Sequence, residues 1–190
     1  MQPLLRTDKL VSLIRKKSET GTLSPSESLL LEQELQSLAQ IDPAQADSIR
    51  AYVLSVEGEF ETSCLLHEEL IRSMPDDPLF VGNYAASLSV SGKHDQAAHV
   101  FLQAWELDRT DTHYLASAIS EARACANAEL TTELEAKYAG LTGKPFMDPS
   151  AAGVFPHNVA GTTCFTLACR SGTLKDWEHP DEEEAWCTLL

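Results

Sequence analysis

The sequence contains no long apolar run. No stretch reaches the roughly 18 consecutive apolar residues that a membrane-spanning helix needs, so no membrane insertion is expected. Leu10-Val11-Ser12-Leu13-Ile14 is too short for the apolar region of a signal peptide and runs straight into Arg15-Lys16-Lys17. Bases are scarce. Lys and Arg number 14 against 29 Asp and Glu, for a net charge of −15. That balance argues against nucleic acid and anionic membrane surfaces as general partners, because both select basic proteins. Cysteine is present in an odd number, five, at positions 64, 125, 164, 169 and 187. With two of these inside predicted helices, a disulfide framework is not expected, and a reducing, cytoplasmic setting is. There is no glycine-rich phosphate loop and no GxSxG elbow. Asp76-Asp77 stands at a predicted helix start, where acids complement the helix dipole, and Glu182-Glu183-Glu184 belongs to a tail run. Neither pattern points to acid–base catalysis, and the chain reads as a non-enzyme without cofactor or metal.

The charge that is present is uneven. Residues 1–20 hold five bases against two acids, so the remainder is more acidic than the whole. Apolar positions at Leu4, Leu5, Val11, Leu13 and Ile14 fit an amphipathic helix over residues 3–17, leaving through Gly21. Ser24-Pro25-Ser26-Glu27 is a helix start: Ser24 can cap, Pro25 suits the first turn, and Glu27 completes a capping box. That second helix should stop near Ala39, since Pro43 disfavours helix at Asp42.

From Ala44 a repeat sets in. Gly58-Glu59-Phe60 and Gly92-Lys93-His94 lie 34 residues apart. Helices are expected over 44–57 and 60–74, then over 78–91 and 94–107, with Gly58 and Gly92 at the turns. A weaker third hairpin covers 112–125 and 128–140, turning near Ala126-Asn127 and stopped by Gly140 and Gly143. A repeat of this length means stacked helical hairpins, because one hairpin cannot bury both of its faces. The expected organisation is an N-terminal helical hairpin over 1–43, three repeats over 44–145 and an irregular acidic tail over 146–190. The fold class is all-α, a solenoid of stacked hairpins.

These residues resemble three tetratricopeptide repeats. The middle one carries Ala85, Leu88, Gly92, Ala97, Phe101 and Ala104 at the pattern's positions, and departs from it with Val81 in place of Trp and Arg109 in place of Pro. The first keeps Ala51, Leu54, Gly58, Phe60 and Pro75 but has Ser63, His67 and Leu70 where Ala, Phe and Ala are usual. The third is degenerate, with Ala126 for the turn glycine and Glu135 for the aromatic, as a capping repeat would be. The resemblance implies a concave groove lined by the first helix of each hairpin. Carried over, that lining is Gln45, Ser48, Tyr52, Ser55 and Val56, then Leu79, Gly82, Ala86, Ser89 and Val90, then His113, Ala116, Ser120, Arg123 and Ala124. Lys and Asn, which clamp peptide carboxylates in some members, are missing from these places. A groove of small and apolar residues suits an extended or helical apolar polypeptide, so an adaptor or chaperone is the expected role. The layout of two leading helices, three repeats and acidic charge is also similar to type III secretion chaperones of hydrophobic substrates. A toxin-neutralising partner, whose acidity would capture a basic surface, is a further alternative.

His67 follows Cys64 by three residues on one predicted helix, but it occupies a packing position and reads as a core histidine. The tail holds His157, Cys164, Cys169, His179 and Cys187, a set whose spacing departs from paired zinc ligands. A metal-dependent role there is the rival reading. Residues 162–169 are β-prone, and Thr188-Leu189-Leu190 fits the loose pattern read by PDZ domains. Self-association into a homo-oligomer through the ends of the stack is the remaining alternative.

Overall fold

A computed structural model describes the backbone of residues 4–147 and the side chains of residues 9–147. The described chain is all helical: α1 (Leu4–Thr20), α2 (Pro25–Ala39), α3 (Pro43–Val56), α4 (Phe60–Ser73), α5 (Pro78–Val90), α6 (His94–Leu107), α7 (Thr112–Ala124) and α8 (Ala128–Thr142). Among the described residues, no helix is long and apolar enough to cross a membrane.

The repeat is visible in how the helices begin and end. Asp42, Asp77 and Asp111 precede α3, α5 and α7, and each carboxylate accepts the backbone N–H of Gln45, Leu79 or His113 at 2.9–3.0 Å. An aspartate here satisfies an otherwise orphaned N–H and stabilises each helix by about 1 kcal/mol. Pro43 and Pro78 sit in the first turn, where a missing N–H costs nothing. The exits match as well. Gly58, Gly92 and Ala126 all have positive φ, and the next residue's N–H reaches back to Leu54, Leu88 or Ala122 at 2.9 Å. This closing turn recurs at the end of α3, α5 and α7 and sends the chain back antiparallel. Ser24 forms the expected capping box with Glu27 ahead of α2.

The small residues set how closely the odd-numbered helices approach. Asn83 Nδ2 donates to Ser48 Oγ at 2.7 Å, which ties α5 to α3. A Cβ placed on Gly82 would lie 2.4 Å from Tyr114 Cε1, so α7 seats its tyrosine where α5 has no side chain. One continuous core runs through the stack, with Ile49, Tyr52, Ala85, Phe101, Leu115, Ile119 and Leu134 buried. Leu10, Ile14, Leu31 and Leu35 of α1 and α2 join that same core, and Ser18 Oγ lies 3.2 Å from Tyr52 Oη. The leading hairpin therefore packs as part of the stack.

Two expected boundaries move. α1 continues to Thr20, three residues beyond Lys17, and leaves through Gly21 at φ 72°. α8 passes through Gly140 and stops at Gly143, the glycine with positive φ. A single interior glycine costs about 1 kcal/mol, which the packing of Leu134 and its neighbours outweighs. The β-prone segment 162–169, the tail cysteines and histidines and the C-terminal tripeptide lie outside the described residues.

Charge divides between the two sets of helices. α5 carries none, and α3 and α7 each carry one acid and one base. The even-numbered helices are acidic. α2 and α6 have acids and no Lys or Arg, while α4 and α8 each set three acids against one base, Arg72 or Lys137.

Candidate functional site: a groove between α4 and α6

The residues carried over as groove lining divide by position in the stack. Gln45, Ser48, Tyr52 and Ser55 of α3 and Leu79, Gly82, Ala86 and Ser89 of α5 are buried. Val56 and Val90, at the ends of these helices, are half-buried. On α7, Ala116, Ser120 and Arg123 are half-buried, and His113 and Ala124 are exposed. Close packing explains the difference. Each odd-numbered helix is covered by the next: Asn83 covers Ser48, and Tyr114 covers Gly82. No described helix follows α8, so the face of α7 stays open. Arg123 is already engaged, its guanidinium 2.7 Å from Glu135 and stacked 4.9 Å from the centre of the Phe146 ring.

The opposite side of α5 is open. At 3.6 residues per turn, Val81 and Tyr84 point away from Gly82, Ala86 and Ser89. Together with Glu68, Ile71 and Arg72 of α4 and Val100 and Gln103 of α6 they enclose a groove of about 410 Å³. Its floor and walls are apolar, formed by Val81, Ile71, Val100 and the Tyr84 ring. Glu68, Arg72 and Gln103, all exposed, stand at the rim. The volume falls within the range of about 300–1,000 Å³ typical of ligand sites.

Behind the groove wall lies a polar cluster. His67 is fully buried, with its Nε2 2.7 Å from Ser87 Oγ and its ring centre 5.5 Å from that of Tyr84. Burial disfavours the imidazolium and lowers the His67 pKa to about 3, so this ring is neutral near pH 7. His67 Nδ1 and Ser63 Oγ, one turn apart on α4, have no hydrogen-bond partner among the described residues. The Tyr84 hydroxyl shares a hydrogen bond with Cys64. Burial first, then the nearby Cys64 and Glu68, hold its pKa above the usual phenol value. Glu68 therefore lies close enough to Tyr84 for its charge to be felt at the groove floor.

A second buried cluster joins three helices. Ser89 Oγ donates to Glu121 Oε1 at 2.7 Å, and His94 Nδ1 donates to Glu121 Oε2 at 2.8 Å. Glu121 is 1% exposed, so both of its oxygens need these donors. The serine proton faces the carboxylate and not the imidazole, an arrangement that clamps α5, α6 and α7 together and does not activate a nucleophile. Among the described residues, no group of three or more His, Cys, Asp or Glu side chains is placed to hold a metal ion.

Comparison of the sequence with protein-family models and with curated proteins gives no match. The groove had one signal in the sequence, the Val81 that stands where the tetratricopeptide pattern has Trp. A small side chain at that place leaves the floor low. Ile71, Val100 and Gln103 carried no signal of their own, because exposed or half-buried residues of this kind occur on any helix face.

Proposed function

We propose that this chain is a protein–protein interaction module, an adaptor or chaperone, that holds a polypeptide partner in the groove between α4 and α6. The observation that carries this reading is the contrast between the two sides of α5. One side is closed by Tyr114 and its neighbours, and the other leaves an apolar floor open beneath a polar rim. Such a site suits an apolar side chain presented by an otherwise solvated segment. The tetratricopeptide resemblance supports the class of function, and the groove supplies its place.

Site-specific photo-crosslinking in cells tests this. A photoreactive residue at Gln103, on the rim, is expected to capture a polypeptide, and the same residue at Ala124, on the open face of α7, is not. Capture at Ala124 alone would return the site to the first helices of the hairpins. No adduct from either position would remove the polypeptide-binding reading.

A further inference from the structure

We infer that the partner segment is basic: a short stretch in which one bulky apolar side chain fills the α4–α6 groove and Lys or Arg residues on either side meet its walls. The inference rests on the reading of the groove as a polypeptide site and adds the chemistry of the occupant. Two independent features specify it. The first is size. About 410 Å³ exceeds the roughly 150 Å³ that accommodates a benzene ring, so a Leu, Met or aromatic side chain fits with room for its backbone, while a whole helix does not.

The second feature is charge. Glu68 lies in the groove lining, close enough to Tyr84 to raise its pKa, and Glu61 and Glu69 lie on the same helix. Across the groove, α6 contributes Asp95 and Glu106, the latter in an ion pair with Arg109. Against these, α4 offers Arg72 alone. Acids thus outnumber bases on both walls, whereas the floor helix α5 carries no charge. An acidic partner would meet like charge on approach. A basic one would be steered in and held at the rim, with the apolar contact beneath it setting register.

The test is fluorescence anisotropy on the full chain with three labelled peptides that share one central Leu. The flanking residues are lysines in the first, serines in the second and glutamates in the third. The lysine peptide is expected to bind about tenfold more tightly than the serine peptide and to weaken as salt rises, with the glutamate peptide weakest. Glu68→Lys, an exposed change with no packing role, should lower lysine-peptide affinity about tenfold. Val81→Trp should fill the floor and abolish binding while circular dichroism and melting temperature confirm the fold. Equal affinity for all three peptides, preference for the glutamate peptide, or indifference to Glu68→Lys would overturn the inference. The first two of these would leave the groove a polypeptide site of different chemistry. Failure of every peptide to bind would also overturn it, and the Gln103 crosslinking result then reports separately on whether any polypeptide occupies the groove.

Discussion

Acid should destabilise this fold through one side chain, His67. Its ring is wholly buried, one nitrogen is bonded to Ser87, and the other has no partner among the described residues. An unfolded chain protonates this imidazole near its ordinary 6.5, whereas the folded chain resists until about 3. Between those values the unfolded state binds a proton that the folded state does not. Stability therefore rises with pH across the window and is lost as pH falls through it. At about 1.4 kcal/mol per unit below 6.5, lowering the pH from about 7 to about 5 should remove on the order of 2 kcal/mol through His67 alone. His67→Phe removes the titrating group. It also leaves Ser87 without its partner and adds volume, but those costs are independent of pH and cancel in the comparison. Urea denaturation of both proteins at the two pH values is the assay. The wild type should lose about 2 kcal/mol more than the variant over the interval. If the two lose the same amount within a few tenths of a kcal/mol, the ring is not buried neutral and the reasoning fails.

Three further substitutions probe the stack. Ala126, at φ 57°, occupies the turn that Gly58 and Gly92 fill elsewhere, so Ala126→Gly should stabilise the protein by about 1 kcal/mol and raise Tm by about 2–4 °C. A lowered Tm would mean that the backbone at Ala126 is not left-handed. Gly82→Ala should destabilise by about 1–3 kcal/mol despite a helix-propensity gain of about 1, because its Cβ meets the Tyr114 ring. In a Tyr114→Ala background that penalty should vanish, and a double-mutant cycle reads the difference. Phe101→Ala, at a site 1% exposed, should cost about 3–5 kcal/mol in equilibrium unfolding, and an unchanged midpoint would refute its place in the core.

The helices were legible because their signals are local. Asp-Pro at 42–43 and 77–78, Gly58 and Gly92 at a fixed interval, and the Ser24 capping box each mark a boundary through chemistry that acts within one turn. Boundaries moved where local signals misled: Gly140 looked like a stop, but tertiary packing carried α8 through it. The candidate site was less legible, since exposure is a tertiary property. Ser48, Gly82 and Ala86 have the small side chains of an open groove lining, yet smallness equally permits the close approach of α3, α5 and α7 that buries them. Tyr114 closing over Gly82 joins residues 32 apart, which no periodic pattern specifies. His67 was expected in the core and lies there, because a residue at a packing position has its surroundings set by the repeat.

The dependence of α5 on α7 has a consequence for synthesis. The Ser89–Glu121 bond joins residues 32 apart in the chain, and the second partner is made after the first. At translation speeds of about 5–20 residues per second, α5 waits roughly two to six seconds for its cover. During that interval Leu79 and Ala86, both sealed in the finished protein, face water on the nascent chain. The ribosome-bound intermediate therefore displays an adhesive apolar strip that the released molecule does not have, and the end of α7 hides it.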